Sequence, residues 1–237
     1  MIDPVVAIAF WAALFFGSHL VISSGAVRQR IVAAVGEQPY RGIYSIVAFA
    51  TFIPLVLSFA YHKHSGAMLW DLRGVAPVRW IVWLMMLAAL ILFIGGFVTP
   101  NPGSIGGEAS KADPGGVRGT LKITRHPGFV AFSLFGFAHM LMNGFLGDLI
   151  FFASFPALGI AGGFHQDRRK EESLGAPYRN LVALTSFMPF AALLSGRQEL
   201  SAADVPWIAV TIGVVVTALI LWLHPMLFGG YPLGFAL

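Results

Sequence analysis

The sequence predicts an all-α fold: a polytopic transmembrane helical bundle with about six membrane spans. Three observations predict it. Hydrophobic residues fill 57% of the 237 positions and charged residues only 11%, where a soluble domain carries about 25% charge. Apolar runs close to the length that crosses a bilayer, about 20 residues, recur along the chain. Between them, Gly, Pro and charge collect in short segments. At this length only helices satisfy their own backbone in lipid.

The spans are expected at residues 5–22, 43–61, 78–98, 128–142, 146–164 and 205–223. The first has no basic flank at Met1-Ile2-Asp3-Pro4, so it reads as a retained helix rather than a signal peptide. Asn143-Gly144 marks a tight turn between the fourth and fifth spans. The segment from Leu181 to Leu194 is apolar but short and holds Pro189, which suggests an interfacial or re-entrant piece. The connection from Thr99 to Lys122 is rich in Gly and Pro and is expected to run irregularly over the surface. All of residues 1–237 read as one transmembrane domain. Lysine and arginine divide twelve to three between the two sets of connections. By the positive-inside rule this places both termini on the non-cytoplasmic side; the expected location is a bacterial inner membrane. The net charge of +4 has this ordinary cause and does not point to nucleic acid. The absence of cysteine excludes disulfides, iron–sulfur clusters and covalent haem.

The seven histidines carry most of the remaining information. His62 and His64 flank Lys63 and read as solvated. His165 begins a charged segment with Asp167 and Arg168 and reads as an ion-paired interfacial residue. His224 precedes Pro225 and reads as a helix cap or a functional group. His126 lies between Arg125 and Pro127 at a helix start, where free N–H groups favour an anion. Arg125 adds a bidentate donor. His19 and His139 fall inside spans one and four. An ionisable residue at such a depth is a functional-site hypothesis by default, although a hydrogen bond to a neighbouring helix also accounts for a single one. Two such histidines on separate helices point to ligation of a metal or haem. On the face of His139, Gly136 would leave room for a flat ring and Phe132 and Phe135 would wall it. Ordinary helix packing uses the same residue types.

With these residues placed, the chain resembles the NnrU family of integral membrane proteins, which includes the 15-cis-ζ-carotene isomerases. The matching pieces are His19 with Ser23-Ser24 and Arg28, Gly36-Glu37 with Tyr40-Arg41, Leu69-Trp70 and Gly74-Val75, Ile123-Thr124-Arg125-His126-Pro127 and Ala138-His139. Asp167-Arg168-Arg169 with Gly175 and Tyr178, Pro189-Phe190-Ala191, Gly196-Arg197-Gln198 and His224-Pro225 complete the set. The resemblance implies a single NnrU-like transmembrane domain. In the isomerase branch it also implies a non-covalent haem b with two histidine ligands, which by motif position are His19 and His139. It further implies a reaction gated by reduction of the iron, a polyene substrate taken from the bilayer, and an electron donor. Arg125 and His126 would then meet the propionates, and Phe135 and Gly136 would border the ring.

Two other functions fit the same residues. A haem-carrying accessory or nitric oxide sensor of denitrification would need the histidines but no substrate. Arg-His-Pro followed by Glu171-Glu172, Gly175 and Tyr178 also resembles the membrane methyltransferases that act on isoprenylcysteine or phospholipids. In that reading Arg125, His126, Glu171 and Glu172 would hold S-adenosylmethionine, and His19 and His139 would be structural.

Overall fold

A computed structural model describes residues 2–101 and 116–229. Five helices are long and apolar enough to cross a membrane: α1 (Pro4–Ser23), α3 (Glu37–Tyr61), α4 (Ala76–Val98), α6 (Leu146–Leu174) and α9 (Trp207–Phe228). A shorter apolar helix, α5 (Pro127–Met142), makes the sixth element of the bundle. Three short helices lie outside these: α2 (Gly25–Val35), α7 (Ala176–Leu184) and α8 (Ala191–Leu194). No strand occurs among the described residues. The protein is a multi-pass helical membrane protein.

Local chemistry sets the helix starts. Asp3 caps α1 by accepting from the N–H groups of Val5 and Val6 at 2.9 and 3.1 Å, with Pro4 in the first turn. Pro127 opens α5 in the same way. Gly36, at φ 88°, turns the chain between α2 and α3 in a conformation that favours glycine.

The helices pack in the order α3–α1–α6–α5–α4–α9. In lipid this association rests on van der Waals fit and close approach. Glycine supplies the approach between α5 and α6. A side chain at Gly136 would run into the Phe152 carbonyl and Pro156, and one at Gly159 into Ser133 and the Phe129 carbonyl. The α1–α3–α6 core is aromatic: Phe59 stacks on Phe151 at 4.0 Å, and Phe15, Phe52 and Phe155 continue the cluster.

Alternating direction gives the bundle two unlike ends. One collects the C-termini of α1 and α6 with the N-termini of α3 and α5, and carries most of the arginines; we call it the basic end. At the opposite end the connection between α3 and α4 straps the turn between α5 and α6. Leu69 N–H donates to the Gly144 carbonyl at 2.8 Å, and Leu146 N–H to the Ala67 carbonyl at 3.0 Å. Fully buried Asp148 accepts from the His64 N–H at 2.9 Å and pairs with His64 Nδ1 at 2.7 Å. His64 is therefore an anchored residue, although half its side chain remains exposed.

Several boundaries differ from those the sequence predicts. α3 starts six residues before Ile43, and α6 runs ten residues beyond Phe164 into the charged segment. α2 forms where a loop was expected. α9 continues past His224 to Phe228, so His224 is inside the helix rather than its cap. Of the Gly- and Pro-rich connection, residues 102–115, including Lys111, lie outside the described residues; its final part forms a 3-10 turn at Gly119–Lys122.

Candidate functional site

The basic end holds a polar cluster centred on Asp167 of α6. Arg125 donates to it through Nε at 3.0 Å and through Nη2 at 2.5 Å, a forked charge-assisted contact. His126 Nε2 meets the same carboxylate at 2.6 Å, and the Tyr178 hydroxyl donates to it at 2.6 Å. His126 and Tyr178 are almost fully buried. Burial pushes the Tyr178 phenol well above its usual range, and the hydrogen bond to Asp167 adds to the rise; Arg125 and Arg169 oppose it.

The segment from Leu181 to Leu194 covers this cluster. Arg125 N–H donates to the Ser186 carbonyl at 2.9 Å, Thr124 Oγ1 to the Phe187 carbonyl at 2.7 Å, and Phe190 N–H to the Ile123 carbonyl at 2.8 Å. Phe187 stacks on Phe164 and sits beside His126. Arg125 and His126, expected to face an external anion, thus point at Asp167. The carboxylates expected to join them do not: Glu171 is exposed, and Glu172 pairs with Arg168 at the surface, 3.1 Å away.

The two deep histidines share one local device. His19 Nδ1 lies 2.7 Å from the Phe15 carbonyl, and His139 Nδ1 lies 2.8 Å from the Phe135 carbonyl. A carbonyl only accepts, so each ring carries its hydrogen on Nδ1 and keeps the Nε2 lone pair. That is the tautomer of a histidine metal ligand held by a partner on its other nitrogen. Aromatic rings flank both. His19 meets Phe15 at 4.4 Å and Tyr44 at 5.4 Å; His139 meets Phe135 at 4.2 Å and stacks on Phe152 at 4.8 Å.

The structure does not bring these two rings together. His139 is level with Phe152 of α6. Ser23, one turn beyond His19, is level with His165, which it meets at 3.1 Å. At 1.5 Å per residue along α6, the two histidines differ in depth by about 14 Å. Phe15, Phe52, Phe155 and Phe135 fill the interval. Each histidine is suited to an iron as a donor; the pair, as placed here, does not meet one iron. His224 of α9 lies within electrostatic reach of His139.

Phe135 keeps its predicted place beside His139. Phe132 does not: it is exposed and meets Phe93 of α4 at 5.8 Å. Gly136 is buried against α6 rather than facing open space, so its missing side chain serves helix contact. Sequence reasoning missed Asp167 and Tyr178 as partners of Arg125 and His126. Both were in view as pieces of a motif, but nothing along one chain shows a pairing 42 residues apart.

A family model described as NnrU protein matches residues 7–232. The chain belongs to the NnrU family. Two curated relatives are 15-cis-zeta-carotene isomerases, both described as chloroplastic. The protein from Zea mays is 28% identical over 188 residues, which is 76% of this chain and 49% of that protein. The one from Arabidopsis thaliana is 26% identical over 225 residues, 88% of this chain and 58% of that protein. The chain therefore spans about half the length of these relatives. No solved structure matches it.

Proposed function

We propose that this NnrU-family protein binds haem b without covalent attachment and isomerises a cis double bond in a carotene-like polyene. The observation that carries the haem reading is the tautomer shared by His19 and His139, each with Nδ1 tied to a backbone carbonyl and Nε2 free. Either residue would serve as a donor to an iron at its own depth; the two do not reach the same one. When bound, the haem supplies a Lewis-acid or one-electron centre that responds to redox state. The relatives' activity supports the isomerase reading.

The chain's own residues suit an apolar substrate. A shallow, open apolar depression of about 270 Å³ lies on the outer side of α3, lined by Phe49, Phe52, Ile53, Val56 and Leu57. Phe52 borders it and contacts Phe15, which contacts His19. A polyene from the bilayer would enter this depression without crossing a polar surface. The Asp167 cluster would hold the basic end rigid, since its hydrogen bonds join α5, α6 and α7.

The alternative without a reaction, a haem accessory of nitric oxide chemistry, draws on the same histidines and leaves the depression unused. Absorption spectra of purified protein, oxidised and reduced, test the haem. A Soret band that shifts on reduction is expected, with H19A or H139A altering the axial-ligand bands. No Soret band in protein made with ample haem would overturn the reading. Unaltered bands in both variants would reassign the ligands.

A further inference from the structure

The partly buried arginines of the basic end have carboxylate partners, with one exception among the described residues. Arg28 pairs with Glu37 at 2.6 Å, Arg41 with the same Glu37 at 3.3 Å, and Arg125 with Asp167. Arg169 is half-buried and makes no hydrogen bond or ion pair with any described residue. Its position is fixed from both sides. One turn before it on the same face of α6, His165 meets Ser23 of α1. One turn after it, Glu172 lies beside Gly25, the first residue of α2. That face therefore lies along the junction of α1 and α2.

Tyr40 and Tyr44 of α3 lie at the same junction. Tyr40 donates to the Ile22 carbonyl at 3.2 Å, which puts it at the same junction. Tyr44 is one turn deeper, beside His19, and its hydroxyl has no partner among the described residues. Arg169 acts electrostatically on both tyrosines and on His165. A guanidinium without a carboxylate partner and a phenol without an acceptor thus lie along one junction of α1, α3 and α6. A charge partly withdrawn from water is stabilised by a counter-ion, and an anion at this junction would supply one.

We propose that Arg169 and Tyr44 form an anion site that binds the carboxylate or phosphate of an amphiphile lying between α1, α3 and α6 next to His19. A haem propionate and a lipid headgroup share this chemistry. The propionate source rests on the haem reading; the lipid source does not. The site replaces Arg125 and His126, whose donors are spent on Asp167.

The test uses the full chain in detergent, made without haem, and titrates it with haemin and with haemin dimethyl ester. Wild type should bind haemin roughly tenfold more tightly than the ester, the scale of one charge-assisted hydrogen bond. R169Q should bind the two alike, R169K should regain part of the preference, and R168Q should match wild type. In a second arm, native mass spectrometry compares retention of phosphatidylglycerol and phosphatidylcholine. A lipid site gives retention of phosphatidylglycerol by wild type and its loss in R169Q. If wild type binds neither haemin nor ester, the haem reading fails and the lipid arm alone decides. A folded R169Q, by circular dichroism, that keeps both the haemin preference and the phosphatidylglycerol retention of wild type overturns the proposal.

Discussion

Replacing Asp167 with Ala is expected to be among the most damaging single changes at the basic end. The carboxylate receives Arg125, His126 and Tyr178. The side chains of Arg125 and His126 are only 11% and 1% exposed, so both lose a buried acceptor that water replaces poorly once Asp167 is gone. Breaking a buried pair by removing one partner costs about 3–5 kcal/mol. Asp167 itself is 17% exposed, which favours the lower figure, about 3 kcal/mol. For a chain of this size that lowers the thermal midpoint by roughly 6–12 °C. D167N keeps the shape and loses the charge, and should fall in between. Tryptophan fluorescence during a thermal ramp in detergent reads the midpoint. D71A serves as comparison: Asp71 binds Arg73 at 2.6 Å, but both side chains are well exposed, and exposed pairs contribute little. A D167A midpoint no lower than that of D71A would refute the view that this cluster joins α5, α6 and α7.

Three further outcomes follow from the packing. G136L places a side chain against the Phe152 carbonyl and Pro156 and should destabilise by about 1–3 kcal/mol through overpacking; G128A, with open space around it, should be neutral in the same thermal assay. H64A removes the partner of fully buried Asp148 and should cost about 1–3 kcal/mol, visible also as faster proteolysis of the α3–α4 connection. The raised pKa of Tyr178 means that the folded state keeps this proton when the unfolded chain has lost it. The stability it contributes is complete below about pH 10 and falls as the pH rises further. Thermal midpoints between about pH 8 and 11 should therefore decline more steeply for wild type than for Y178F.

The spans were legible because an apolar run of bilayer length satisfies its backbone as a helix and its side chains in lipid. The first, third and fourth predicted spans agree with α1, α4 and α5 to within a few residues. The helical extension of α6 was less so. Residues 165–174 carry charge, and hydropathy stops at Phe164 although Gln, Arg, Lys and Glu are good helix formers. The same applies to α2, whose Arg28 and Arg30 made a short helix look like a loop. At the site, burial and charge were visible but partners were not. His126 was recognised as special, yet its counter-ion lies 41 residues away. Gly136 was singled out, and its real neighbour is another helix. The depth mismatch of His19 and His139 follows from where each falls in its own span, but the aromatic rings between them needed the packing of α3 and α6.

The most direct measurement of the central claim is conversion of 15-cis-zeta-carotene by the haem-loaded protein in lipid vesicles, followed by chromatography of the isomers. Loss of the 15-cis isomer under reducing conditions, and none under oxidising conditions or with the H19A,H139A double variant, is the predicted result. Haem-loaded, reduced protein that leaves the 15-cis isomer unchanged would contradict it.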